Sequence, residues 1–501
     1  MKPLIRLPFL YEDLRARLWS LERDKSAVQK SRSLVETALS GDKTHYGINT
    51  GFGILANKRI SKENLDKLQH NLILSHAVGV GELVPKEITR LMLLIKLHSL
   101  GLGFSGVSEE TFDRLLYFAR YDLIPVVPSK GSLGASGDLA PLAHMSLPLI
   151  GMGHFWNDDG TVSIPAEEVL SNHKITPIQL KPKDGLSLIN GTQFMNAYGA
   201  FILEKSIRLL KMADILATVS LEALQGSIVP FDERIQQLRP HPGQSKVAAN
   251  VRALLTDSEI LESHRNCGKV QDPYCLRCVP QVHGASRDAL EHASSIIQTE
   301  TNSVTDNPLV FENGDILSGG NFHGQPLAFA MDYAAIALAE LGSISERRTY
   351  LLLEGHDGLP TLLMEDTGIN SGFMIPQYTA AALVSENKVL CHPASVDSIP
   401  SSLGQEDHVS MGSISATKLL QVFRNVEHIL SIELITAIQA LDFRKPLKPG
   451  RGVELFHEYC RERIPHADED TYFREFMDIS LDIIQKPDVI LTIEKELGEL
   501  H

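Results

Sequence analysis

Residues 131–145 read GSLGASGDLAPLAHM, in which Gly131, Gly134 and Gly137 recur at every third position around Ala135 and Ser136. A serine set in so much permissive backbone suggests chemistry, yet no His, Lys or Cys stands beside it in sequence to serve as its base. A hydrolase nucleophile would read Gly-x-Ser-x-Gly after a strand; here Asp138 takes the last position and no strand pattern precedes it. A phosphate-binding loop would continue into Gly-Lys-Ser/Thr, and this segment does not. A helix N-terminus at Asp138, with Pro141 in the first turn, accounts for those two residues but not for Gly-Ala-Ser-Gly.

A different chemistry accounts for the whole run. If the backbone nitrogen of Gly137 attacks the carbonyl of Ala135, a five-membered ring closes, and glycine at that position lacks the Cβ that would resist the bend. Loss of water from the ring, and of the Ser136 hydroxyl as a second water, leaves a 4-methylidene-imidazol-5-one. Ser136 then needs no base, because it becomes an electrophile.

Five further polar clusters interrupt the apolar pattern, each marked by Gly or Pro: HYGINTGFG (45–53), LINGTQ (188–193), QDPYCLRCVPQ (271–281), GGNFHGQP (319–326) and SSLGQEDHVSM (401–411). Any one alone would read as a cap or turn. Together they describe chemistry carried on loops by a rigid scaffold.

With these motifs in their order from about residue 44 to 412, the chain resembles the aromatic amino acid ammonia-lyase family. The resemblance implies an all-helical homotetramer with active sites shared between subunits, and a self-formed methylidene-imidazolone from Ala135, Ser136 and Gly137 with no external cofactor or metal. It implies elimination of ammonia from a small amino acid, L-histidine, to give trans-urocanate, the first step of histidine breakdown. Tyr46 matches the family's catalytic tyrosine, and Glu406 a glutamate placed near the imidazole; either is a candidate base for the β-proton. Arg277 matches the residue that grips the substrate carboxylate, for which a guanidinium fork is suited. Tyr274 and Gln271 line the same pocket. Asn190 donates to the ring oxygen as it gains charge, and Phe322 packs on the substrate or the ring. Ser75-His76 resembles the histidine-specific branch, where an imidazole substrate needs polar partners for its two nitrogens; tyrosine or phenylalanine lyases, aminomutases and an inactive family scaffold are the alternatives. The chain departs from the family at Leu403-Gly404, which loosens the loop of Glu406, and at Pro376 and Tyr378.

The elements that must hold these loops are mostly helices. Leu419, Val422, Phe423, Val426, Leu430, Leu434, Ala437 and Leu441 recur at three- and four-residue steps, predicting a helix over about 414–442. Comparable stretches cover 194–223, 285–300, 327–354 and 376–392. A shorter helix begins at Pro85 with Ile88, Leu91, Met92 and Ile95 on its inner face. Asn313-Gly314 and Asp159-Gly160 predict tight hairpins. The expected fold is mainly α: an elongated bundle of long helices with a smaller, loop-rich N-terminal region carrying the electrophile. Its expected divisions are 1–193, 194–445 and a helical tail over 446–501.

Composition narrows the class of protein. At 501 residues and 43% hydrophobic the chain can bury a large core, and a net charge of −15 disfavours a nucleic-acid partner. No apolar run reaches the ~18–20 residues of a bilayer span, so no membrane partner is expected. Five scattered cysteines fit reduced thiols in the cytoplasm. Cys275 and Cys278, with Cys267 or His283, make only half of a zinc pattern, and ordinary thiols are the expectation.

Overall fold

The computed structural model describes residues 4–41, 45–50, 60–61, 64–265 and 268–501. Helices dominate the described residues, and the strands form only two-stranded antiparallel pairs. The long periodic segments fold as read, to within two turns: Gln193–Ala223, Val279–Thr301, Gln325–Leu353, Met374–Leu390 and Gly412–Asp442. The largest difference is at Val279, where the helix starts six residues before the apolar pattern becomes regular. Both predicted hairpins are present, with Phe155 opposite Ile164 and Val310 opposite Ile316.

A third pair, Val80–Leu83 with Pro128–Lys130, carries no alternating apolar signal and was not foreseen. Every residue of Val80–Leu83 is exposed, so the backbone pairing holds it rather than a buried face.

The chain divides into two compact units. The first comprises Met1–Glu204, Ala293–Asp332 and Pro393–Thr417, and the second Lys205–His292, Tyr333–His392 and Lys418–His501. In the first unit the Lys86–Leu100 helix is central. Ile88, Leu91, Met92 and Ile95 are buried as expected, but so are Leu93, Lys96, Leu97 and His98 on its other faces. Partial exposure is confined to the strip of Glu87, Arg90 and Leu94, and Lys96 lies off it, on a face without solvent.

In the second unit the 419–441 stripe is buried throughout, and so are Ser431, Glu433, Thr436 and Gln439 between its members. The C-terminal stretch folds into the helices Arg451–Arg461, Phe473–Gln485 and Asp488–Leu497.

The helix Gln325–Leu353 is long and apolar enough to cross a membrane by length and composition, contrary to the sequence expectation. Two-thirds of its apolar window is buried within the protein, as in the core helix of a globular protein.

Candidate active site

The Ser136 loop joins strand Pro128–Lys130 to helix Leu139–Ser146. Gly134 and Gly137 adopt φ of +66° and +77°, a region L side chains rarely enter. Space reinforces the choice. A Cβ on Gly134 would stand 2.2 Å from the Ser410 Oγ, and one on Gly137 2.1 Å from the Gly191 carbonyl oxygen.

The loop is held on two sides. Residues 410–413 take three consecutive carbonyls of the loop: Ser413 Oγ donates to Ser132 O (2.6 Å), Met411 N to Leu133 O (2.9 Å) and Ser410 Oγ to Gly134 O (3.2 Å). On the other side Asp138 N donates to Gly191 O at 2.8 Å. Between these anchors Ala135 and Ser136 are only half-buried.

Asp138 occupies the N-cap position of its helix but makes no cap bond there. Its carboxyl accepts Ser132 Oγ (3.2 Å) and the Met195 N–H (3.0 Å), and so caps the helix that starts at Gln193. The cap reading of Asp138 therefore applies to a different helix, one brought to it by folding. Complete burial pushes this carboxyl up to about 7, against the hydrogen bonds from Met195 and Ser132.

Ser136 Oγ donates to Glu406 Oε1 at 2.7 Å, and Ser401 Oγ donates to Oε2 at 2.7 Å. Ser401 and Glu406 also pair through their backbones, closing the turn that carries Gly404 at φ +88°. Nothing lies within 4 Å of a Cβ at Gly404, so the glycine serves the backbone of the turn rather than packing. The departure at Gly404 is thus compatible with a fixed Glu406.

His76 ends the Leu65–His76 helix. Its Nδ1 faces the Leu72 carbonyl at 2.8 Å, which assigns the proton to Nδ1 and leaves Nε2 as an acceptor. Burial lowers the pKa of the imidazole, while the Leu72 carbonyl and the charge of Glu406 oppose that shift. His323 Nε2 meets the His408 carbonyl at 3.1 Å and the two rings stack, bringing the Phe322 segment to that of Glu406. Phe322 itself is half-buried.

Asn190 follows helix Asp184–Ile189 and is 4% exposed. Its side-chain oxygen is buried without a partner, so the amide retains hydrogen-bonding capacity. Tyr46 lies half-buried in the turn of 45–50, where Ile48 N and Asn49 N both donate to His45 O. Gly51–Gly53 of the same motif lie outside the described residues.

Gln271, Tyr274 and Arg277 belong to the second unit. Arg277 Nε donates to Asp272 O at 3.0 Å, and its guanidinium lies 4.6 Å above the Tyr274 ring. A cavity of about 960 Å³ in that unit is lined by Gln271, Asp272, Ser227, His264 and Lys269 among others. Cys275, Cys278, Cys391 and Cys460 are free thiols, and His283 Nδ1 faces Asp214 at 2.8 Å. No metal-binding cluster occurs among the described residues, and Cys267 lies outside them.

Sequence reasoning missed Ser132, Ser401, Ser410 and Ser413, although all four lie in or beside motifs it singled out. It also missed Lys96, whose signal was a lone charge inside the apolar run LMLLIKL.

The sequence profile described as "Aromatic amino acid lyase" matches residues 15–462. A histidine ammonia-lyase of Deinococcus radiodurans is 53% identical over 90% of this chain and 86% of its own length. Among solved structures, a histidine ammonia-lyase from Trypanosoma cruzi superposes with a TM-score of 0.88 at 39% identity, covering 97% of this chain and 94% of that one. A tyrosine aminomutase from Streptomyces globisporus reaches 0.91 at 34% identity, covering 100% and 99%. The chain belongs to the aromatic amino acid lyase family.

Proposed function

We propose that the protein eliminates ammonia from L-histidine to give trans-urocanate, using a methylidene-imidazolone formed from Ala135, Ser136 and Gly137. The observation that carries this reading is the Ser136 loop itself, bent at Gly134 and Gly137 and anchored on both sides of the half-buried Ala-Ser pair. The surroundings suit the ring: Gly137 has no room for a side chain, and the buried Asn190 lies next to Gly191, whose carbonyl takes the Asp138 N–H. The ring supplies an electrophile that captures the substrate amine and makes it a better leaving group.

The remaining work falls to the chain's own side chains. Nε2 of His76 accepts a hydrogen bond from the imidazole of the substrate, with the Glu406 carboxylate close enough to act on the same region. Glu406, held by the Ser401 hydroxyl and by its backbone pairing with Ser401, is oriented to take the β-proton, a role that Tyr46 shares as the alternative base. The Asn190 amide stabilises negative charge on the ring oxygen, and Phe322 packs against the substrate. Arg277 takes the substrate carboxylate in a bidentate grip, with Tyr274 and Gln271 beside it.

We assign the protein to a homotetramer, within which Gln271, Tyr274 and Arg277 contribute to shared sites. Exposed apolar side chains support association: Tyr333, Ile336 and Tyr350 on one helix, and Ile375, Tyr378 and Val389 on another. Free thiols suit a cytoplasmic location.

Two measurements test the reading. The intact denatured mass should fall two waters short of the sequence mass, and Ser136→Ala should remove one of those losses and reduce ammonia release to background. Histidine should yield ammonia and urocanate, and His76→Leu should cut that turnover far more than it lowers the unfolding midpoint. Similarity to a tyrosine aminomutase over the whole chain favours a second reading. A β-amino acid product from tyrosine, with no urocanate from histidine, would replace the first reading with that one.

A further inference from the structure

The Lys86–Leu100 helix carries a buried amine that the reaction above does not use. Lys96 is 1% exposed. Its Nζ donates to the main-chain oxygen of Asn190 at 2.7 Å and to Gln193 Oε1 at 3.3 Å, and both of these acceptors are neutral. Burying a charged amine against neutral partners costs more than burying an apolar side chain of similar length. Burial accordingly lowers Lys96 to about 7, with Asp306 and Asp138 opposing that fall and Lys183 adding to it. For packing alone, Met or Leu would serve better here.

What the amine touches is the corner that faces the electrophile loop. Asn190 is buried there, and its side-chain oxygen has no partner. Gly191, the next residue, bends at φ +124° and takes the Asp138 N–H on its carbonyl. Gln193, the other acceptor, is itself fixed by its Nε2 donating to Thr305 Oγ1 at 2.8 Å. Lys96 is therefore tied to both ends of the Asn190–Gln193 turn.

We propose that Lys96 is a positioning residue for the reaction: it fixes the Asn190–Gly191 corner, and through it sets where the Asn190 amide meets the ring oxygen. This rests on the function proposed above, since the corner has a catalytic task only if the loop becomes an electrophile. Asn190 touches the ring; Lys96 acts through Asn190.

The test compares Lys96→Met with the wild-type enzyme in histidine turnover, intact denatured mass and urea unfolding. Lys96→Met should lower kcat by about tenfold to a hundredfold, as misplacement of a catalytic group does. KM should change less than threefold, because the substrate contacts are elsewhere. A purely structural lysine would instead lower the unfolding midpoint and leave kcat per folded site unchanged.

The same substitution made on Asn190→Ala should cost less than threefold, since its route of action is already gone. Lys96→Gln, which keeps a donor for the Asn190 carbonyl, should recover part of the loss and is the variant to read if Lys96→Met does not fold. An unchanged kcat in the folded variant overturns the inference, as does an undiminished effect on Asn190→Ala. If the wild-type chain keeps its full sequence mass, the proposed function falls first and this inference with it. If the wild type is short by two waters and Lys96→Met keeps full kcat, only this inference falls.

Discussion

In the second unit, Arg348 is wholly buried and lies bidentate on Glu433, with Nε to Oε1 at 2.5 Å and Nη2 to Oε2 at 2.8 Å. Ser220 and Ser345 give the same carboxylate two more hydroxyls. Beyond it, Arg348 meets His283, His283 meets Asp214, and Asp214 also takes Arg287 and Asn250. Burial alone would raise Asp214, yet Arg287, His283 and Asn250 hold it below its usual value. In the first unit, the groups around the Ser136 loop are just as buried and differently matched. Lys96 rests on neutral acceptors, Asp138 on neutral donors, and both are displaced toward 7, while Asn190 keeps an unpartnered oxygen. The difference separates two uses of buried polarity. Matched charge fixes the packing of helices, and unmatched polarity marks a place where charge is expected to change.

Breaking the matched cluster should have the largest effect on folding. Glu433→Ala leaves Arg348 buried and uncompensated, which should cost about 3–5 kcal/mol in urea unfolding. Asn190→Ala should give the reverse pattern: a kcat loss of about 10²–10³-fold with little change in unfolding, because its oxygen gives up no existing partner. A large loss of stability there would erase the proposed distinction.

The third effect is smaller and lies in pH dependence. Asp138 has a folded pKa raised to about 7 from 3.8, so its contribution to stability is present at about pH 4 and below and is lost as pH rises through 7. Asp138→Asn should flatten that part of the stability profile between about pH 4 and 7. Comparing both in a Ser136→Ala background keeps the loop chemically identical. An unchanged slope would mean that the carboxyl is not displaced.

Much of this was legible in sequence. The long helices declare themselves because apolar residues at three- and four-residue steps depend only on local periodicity. The Ser136 loop stood out because the ring closure proposed for it involves three consecutive residues. Val80–Leu83 was not, since its pairing with Pro128–Lys130 is made by backbone atoms across a long separation and leaves its side chains exposed. Asp138 could be read only as the cap of its own helix, because nothing local announces that the helix from Gln193 arrives beside it. Lys96 was hidden for a related reason. Its helix was expected to have one apolar face, and only the packed unit shows that the face carrying Lys96 is covered as well.

The grip of residues 410–413 on the Ser136 loop also orders events in time. Ser132 and Ser413 are separated by 281 residues of chain. At about 5–20 residues per second, a ribosome makes the loop some tens of seconds before it makes the serines that hold it. The nascent N-terminal stretch thus passes through synthesis with its reactive tripeptide unclamped, as ordinary backbone. Only when the last segment of the first unit docks are the carbonyls of Ser132, Leu133 and Gly134 fixed. An electrophile is a hazard in a crowded cell before a substrate pocket surrounds it; if the proposed ring closes only in the clamped loop, this chain order postpones its making until Glu406 and its neighbours have been added.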